Sequence, residues 1–415
     1  MPTNTCKSTL LSRAKEIAPE LVQTRRQIHA NPELSFNEHK TVVLVAEQLK
    51  KLGYEPKVIS GGIGLVAEIG PMPASTERLK HIVAIRADMD ALPIEEANTD
   101  EYCSGNKGVM HACGHDAHTA CALGAAKLLA EMHAKGQLPG RVRLIFQPAE
   151  ETINEVGKSG ATLVIEEGAL ENVAAAIALH VFPNLPAGMI ALKNGALLAA
   201  CDTFKIAIKG VGTHGAMPEL GVDAIVVAAQ VVQAIQTIVS RRRSALEPVV
   251  ITLGGIKSAT YRPNIVAAEV EIIGTARYFD SELSSLIKAE LTRCCQIAES
   301  LGGAFTLEYQ NDNPVLNNDP QLTQIVREAA LKFLPADAIA DATMEMGAED
   351  FSFISAAVPS CFVVLGAAIE NDMRKFHTST FDIDESALPF GAAILAQSAI
   401  DALYHLQSLQ SAQRG

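Results

Sequence analysis

The chain has 415 residues, 48% of them apolar and 20% charged, with no Trp and a formal net charge of −13. At roughly 100–200 residues per domain, that length predicts two or three domains. The composition excludes disorder, collagen and coiled coil as descriptions of the whole. The acidic balance argues against nucleic acid or a membrane as the main partner, because both need a basic footprint. Eight Cys are scattered without Cys-x-x-Cys pairs, which fits a reducing cytoplasmic setting better than a disulfide scaffold. The first twenty residues contain no apolar run of secretory length, so no signal peptide is read.

Two helical patterns open the chain, near Leu10–Ala30 and Asn37–Leu52, followed by strand-like runs at Gly64–Ile69 and His81–Ala87. A long helix from Asp116 to His133 precedes a strand at Val142–Phe146. A helix near Ser159–Glu167 then leads to Ala174–Val181, an almost wholly apolar run of the kind that forms strands covered on both faces. This alternation predicts an α/β domain with a mostly parallel sheet flanked by helices.

The pattern changes near residue 200. Phe204, Ile206 and Ile208 alternate as in a half-buried strand; Asp223–Arg242 reads as a helix and Val249–Leu253 and Ile265–Thr275 as strands. Ser281–Leu301 reads as a helix and Ala304–Tyr309 as a strand. The order βαββαβ is the ferredoxin-like arrangement. Polar residues at 230, 233 and 237 form one stripe on the apolar run Ala224–Val239, which predicts an otherwise buried helix rather than a membrane span. Past Pro314, a helix (Leu322–Leu334), a strand (Cys361–Gly366) and a helix (Ser386–Leu406) return to the first style. The expected organisation is a discontinuous catalytic domain, 1–200 with 312–415, and an inserted domain, 201–311.

Chemistry concentrates in Met110–Thr119, which gathers His111, Cys113, His115, Asp116 and His118 in a chain with eleven His. Sulfur and nitrogen donors so close together, with Gly114 between Cys113 and His115, suit a metal such as zinc. The competing reading is a helix entry capped by Asp116 with its His on a solvated face. Glu150 and Glu151 follow a strand directly, at the usual address of α/β active sites, where one can bind metal while the other serves as general base. His180 ends an apolar strand and His377 follows a strand after a loop, and taken singly each reads rather as a satisfied structural His than as a ligand. Asp88 stands after a strand, either as a carboxylate that orients a ligand or as a turn residue before Pro93. In the inserted region, His214 lies in a Gly-rich loop, Asn264 follows Arg262-Pro263, and Arg277 stands at a strand end. An Arg fork suits a carboxylate, and His or Asn can donate to a developing oxyanion.

Rival motifs are incomplete. Gly157-Lys158-Ser159 imitates a P-loop, but the required Gly five residues earlier is Thr152. His-Glu-x-x-His and Gly-x-Ser-x-Gly do not occur. A Cys113 nucleophile would leave the surplus His and the Glu pair without a role.

Nine ordered segments resemble the peptidase M20 superfamily: RRQIHANPELSFNEHKT (25–41), RADMDALPIEE (86–96), MHACGHDAHT (110–119), FQPAEE (146–151), HVFPNLPAG (180–188), GVGTHGAMP (210–218), RPNIVAAEVEIIGTAR (262–277), GAEDFSF (347–353) and FHTSTFD (376–382). More narrowly, they look like its N-acyl-amino-acid amidohydrolase, hippurate hydrolase and auxin-conjugate hydrolase branch. The resemblance implies an α/β catalytic domain with a ferredoxin-like lid and two divalent metal ions, manganese or zinc first, nickel or cobalt otherwise. It implies Cys113, His115, Glu151, His180 and His377 as ligands, Glu150 as general base and Asp88 as the carboxylate beneath the metals. His214, Asn264 and Arg277 become substrate-contacting groups of the lid, His214 supplied across a homodimer. Arg86 stands where many of the superfamily's peptidases have a His ligand, which favours amidohydrolases over dipeptidases. The expected reaction is metal-dependent cleavage of a small N-acyl-amino acid to a carboxylate and a free amino acid. A dipeptidase or an aminoacyl-glutamate hydrolase is the enzymatic alternative, and a metal-binding protein without turnover the alternative of another class.

Overall fold

The computed structural model describes residues 9–71 and 82–414, so Cys6 and His81 lie outside the described residues. The chain divides into two compact units: 1–195 with 317–343 and 353–415, and 196–316 with 344–352.

The first unit is built on an eight-stranded sheet. Its centre is parallel, in the order Arg141–Gln147, Ile82–Asp88, Val173–Pro186, Ser360–Ala368. Gly64–Ile69 and Lys57–Ile59 extend one edge antiparallel, and Ile190–Leu192 and Ile339–Asp341 complete the other. Every residue of Ile82–Asp88 is buried, as a near-continuous apolar run in a central parallel strand should be. Helices His115–Ala134 and Leu388–Arg414 pack on each other and on the central strands. The first of them is buried through most of its length, so it shows no single apolar stripe and joins the main core directly.

In the second unit, four antiparallel strands stand in the order Val249–Ser258, Glu269–Tyr278, Ala200–Lys209, Ala304–Asn313, with helices Ala224–Arg242 and Glu282–Cys295 between them in the chain. That is the expected βαββαβ order. Phe204, Ile206 and Ile208 face the helix-packed core while Lys205 and Lys209 face out.

Several expected elements differ in detail. The first helix breaks into Thr9–Glu16 and Ala18–His29, because Pro19 restarts the helix in its first turn. The run at 265–275 divides into Ile265–Val266 and Glu269–Tyr278. The strand carrying His180 continues six residues past it, since the partner strand Ser360–Ala368 goes on pairing there. Helix Ala224–Arg242 is not otherwise buried: Ala224, Val227, Ala228, Val231, Ile235 and Ile238 are buried, and Ile225 and Val226 are half exposed. A polar stripe alone did not reveal that its other flank is apolar and uncovered. By length and composition this helix and Glu385–Leu409 are apolar enough to cross a membrane, the second being mostly buried inside the protein.

Candidate metal centre

Four segments of the first unit converge. Cys113 and His115 flank Gly114, which begins the long helix in the left-handed region at φ 96°. A Cβ at Gly114 would lie 2.3 Å from Val181 Cγ2, so only glycine lets the helix start approach the strand carrying His180. Cys113 Sγ is 3.4 Å from His180 Nε2. The loop after Arg141–Gln147 brings in Glu150 and Glu151, and a Cβ at Gly160 would sit 1.6 Å from Pro148 O, so helix Gly160–Glu166 can begin directly beneath that loop. His377, at φ 57°, is tied by its backbone N–H to Ala112 O at 2.9 Å, and its Nε2 is 3.2 Å from Glu151 Oε1.

His115 Nε2 is the focus. It is fully buried and, among the described residues, without a hydrogen-bond partner, 3.9 Å from Glu151 Oε1, 3.9 Å from Asp88 Oδ2 and 4.0 Å from Glu150 Oε2. These spacings are too long for hydrogen bonds and lie just beyond the roughly 3.3–3.8 Å that separates ligands about 2.0–2.3 Å from one ion, a range that the 3.4 Å between Cys113 Sγ and His180 Nε2 meets. Cys113, His115 and His180 form one close group, Cys113, Glu151 and His377 a second, and His115, Glu150 and Glu151 a third. The far nitrogens are already engaged: His180 Nδ1 lies 2.8 Å from Val181 O, and His115 Nδ1 lies 3.2 Å from Asp90 Oδ1. That leaves Nε2 of each ring facing the cluster, the arrangement usual for metal-ligating histidines. The donor set therefore fits divalent metal ions.

The electrostatics agree. Burial pushes the Cys113 thiol well above its ordinary range, and Glu151 adds to this. A nucleophile and a metal ligand both need the thiolate, so Cys113 needs a cation beside it to ionise here. Burial opposes the Asp88 carboxylate, but His115, His118 and Arg86 overcome it and hold its pKa well below the usual value. Arg86 Nη1 donates to Asp88 Oδ2 at 2.6 Å and its Nε to Gln147 Oε1 at 2.9 Å. Arg86 is thus a buried structural cation.

His118 is not available as a ligand, although it lies in the same motif. Val181 N–H donates to its Nε2 at 2.9 Å, which fixes the proton on Nδ1 and makes Nδ1 the donor to Asp88 at 2.6 Å. Nor does Asp116 cap the helix, since Gly114 occupies that position; Arg25 Nε donates to Asp116 Oδ2 at 2.7 Å and His29 Nδ1 lies 2.8 Å away. His111 is fully buried, and burial pushes its pKa down to about 3.

In the second unit, the two-residue strands Thr213–His214 and Ile265–Val266 pair with His214 opposite Ile265, and Gly215 N–H donates to Asn264 O at 2.8 Å. His214 and Asn264 are thereby neighbours, both exposed. Arg277 stands on the four-stranded sheet opposite Cys201 and Val250, half-buried.

Sequence reasoning missed Asp90, Glu38, Arg25 and Asp382. The spacing of Asp88 and Asp90 was the one available signal, because residues two apart at a strand end share a side. Nothing local marked the other three.

Residues 84–401 match the family model described as peptidase family M20/M25/M40. This chain belongs to that family. Among M20 relatives, it is 38% identical over 384 residues to an N-acetyl-L-cysteine deacetylase of Bacillus subtilis (strain 168), covering 92% of this chain and 87% of the relative. It is 35% identical over 410 residues to IAA-amino acid hydrolase ILR1-like 2 of Arabidopsis thaliana, covering 97% and 90%. A dinuclear metal-binding M20 peptidase from Bacillus subtilis superposes with a TM-score of 0.79 at 31% identity, covering 94% of this chain and 99% of that one. This M20 chain is accordingly a metal-dependent hydrolase of amide bonds.

Proposed function

We propose that this chain hydrolyses small N-acyl-amino acids to a carboxylate and a free amino acid, using two divalent ions held by Cys113, His115, Glu151, His180 and His377. The observation that supports the reading is that those five side chains and Glu150 fall into three overlapping close groups sharing Cys113, His115 and Glu151. The deacetylase and IAA-conjugate hydrolase relatives support the substrate class. Manganese or zinc is the metal pair proposed first, zinc matching the cysteine ligand and manganese the carboxylates, with nickel and cobalt as other occupants. When bound, the ions supply Lewis-acid polarisation of a water and of the scissile carbonyl.

The rest is done by side chains. Glu150 Oε takes the proton of the attacking water and returns it to the leaving amine nitrogen. Asp88, fixed between Arg86 and His118, keeps a full negative charge beneath His115. His214 donates to the oxygen that becomes negative in the tetrahedral intermediate, and Asn264 and Arg277 bind the carboxylate of the amino-acid half. His214 acts from the second copy of a homodimer, which sedimentation would reveal as a species of twice the chain mass. A cytoplasmic setting fits the cysteines, all seven described ones being unpaired.

The test is release of free amino acid from N-acetyl, N-benzoyl and dipeptide substrates, with and without a chelator. N-acyl-amino acids should be cleaved, and chelation should abolish cleavage. Preference for dipeptides would install the dipeptidase reading, and chelator-insensitive turnover would end the metal mechanism.

A further inference from the structure

The loop carrying Glu150 and Glu151 turns on Ala149, whose φ of 45° lies in the left-handed region. A non-glycine residue holds that conformation only where its surroundings over-determine it. A left-handed residue beside right-handed ones aims successive backbone N–H groups at a common side, forming a nest that takes an anion. Here the chain supplies the anion itself. Ala149 N–H donates to Glu38 Oε1 at 2.7 Å, Glu150 N–H to Asp90 Oδ1 at 3.1 Å and Glu151 N–H to Asp90 Oδ2 at 3.1 Å. Three consecutive amides are thus taken by two buried carboxyl groups.

Asp90 does more than close the nest. Its Oδ1 is also 3.2 Å from His115 Nδ1, and its Oδ2 accepts from Ser35 Oγ at 2.6 Å. Both oxygens are therefore occupied on the far side of the His115 ring from the cluster. We propose that Asp90 is the positioning residue of this centre: one carboxylate indexes the loop bearing Glu150 and Glu151 to the imidazole of His115. The geometry of base and ligands is then set by the protein before substrate arrives. This rests on the reading of Glu150 as base and of Glu151 and His115 as ligands.

Asp90→Asn keeps the size of the side chain but turns one acceptor into a donor, so it cannot accept from both amides. In the full-length enzyme, kcat should fall about 10–100-fold with KM within about threefold, and metal affinity, measured by competition with a chelating dye, should weaken by a similar factor. Wild-type kcat and wild-type metal affinity in a folded Asp90→Asn protein would overturn the proposal. A second measurement needs no variant. In chelated full-length wild type, the amides of residues 149–151 should exchange with solvent as slowly as those of the preceding strand Arg141–Gln147. Rapid exchange at 150 and 151 would show that Asp90 does not hold the loop. If wild type cleaves none of the N-acyl substrates, the functional assignment fails on its own, and dye competition and exchange still decide the role of Asp90.

Discussion

Replacing Arg25 by Met tests the buried ionic network behind the metal centre. The guanidinium is wholly buried and donates to Asp116 Oδ2 at 2.7 Å, Asp382 Oδ1 at 2.7 Å and Glu385 Oε1 at 3.2 Å. Asp382 keeps the Tyr102 hydroxyl at 2.8 Å, and Glu385 keeps Arg26 at 2.6 Å, so both retain a donor when Arg25 is lost. Asp116 is fully buried and, among the described residues, keeps His29 as its remaining hydrogen-bond partner. Breaking a buried pair by removing one partner costs about 3–5 kcal/mol, because the remaining charge is uncompensated. Methionine preserves most of the volume, so this electrostatic cost should dominate. Urea denaturation of the chelated full chain, followed by circular dichroism at pH 7, should show a loss in that range, and Arg25→Met with Asp116→Asn should recover part of it. The native Asp116 pKa is depressed: burial opposes the charge, but Arg25 and His29 outweigh it. A depressed carboxylate contributes stability above its unfolded pKa of about 3.9 and loses it as pH falls toward the folded value. The gap between wild type and Arg25→Met should therefore narrow below about pH 4. A loss under about 1 kcal/mol at pH 7, or a gap that widens in acid, would refute the argument.

Glu150→Gln should keep its metal and lose about 10²–10⁴-fold in kcat, whereas Glu151→Gln should lose metal; near-normal turnover in the first, or full metal content in the second, would reverse the division of roles. Glu38 has its pKa pushed up to about 8, chiefly by burial and then by Asp90. Its unfolded value is about 4.3, so between the two the native state binds more protons and stability falls as pH rises. Glu38→Gln should thus gain in thermal midpoint relative to wild type from pH 5 to 8 and match it near pH 4; a constant difference across that range would remove the burial argument. Cys113 in metal-loaded enzyme should resist iodoacetamide and become modified after chelation, faster at higher pH because burial holds the thiol protonated; peptide mapping that finds Cys113 alkylated in active, metal-loaded enzyme would contradict ligation.

Both architectures were written in the local pattern of the chain. The apolar run at 174–181 and the alternation of Phe204, Ile206 and Ile208 differ because one strand is covered on both faces and the other on one, and periodicity records that directly. Short strands such as Lys57–Ile59, Ile190–Leu192 and Ile339–Asp341 escaped notice, since three residues carry no period. The donor-rich segment 110–119 and the Glu pair announced metal chemistry by residue type alone. What residue type alone could not apportion, and only the family resemblance suggested, was which member of that segment does what. His115 and His118 are chemically identical and three residues apart, yet a backbone N–H from Val181 consumes His118 Nε2 while His115 Nε2 is left facing the cluster.

The sequence by itself determined the fold class and the donor types, because these depend on periodicity and on residue chemistry that a short window displays, while nine ordered segments carried the family resemblance. Tertiary structure alone decided that Asp90 grips two amides sixty residues away, that Arg25 joins Asp116 to Asp382, and that Asp116 is a network member rather than a cap. Burial is the reason. A carboxylate or guanidinium removed from water must find its partners wherever the fold has placed them, and neighbours in space leave no mark in the local sequence.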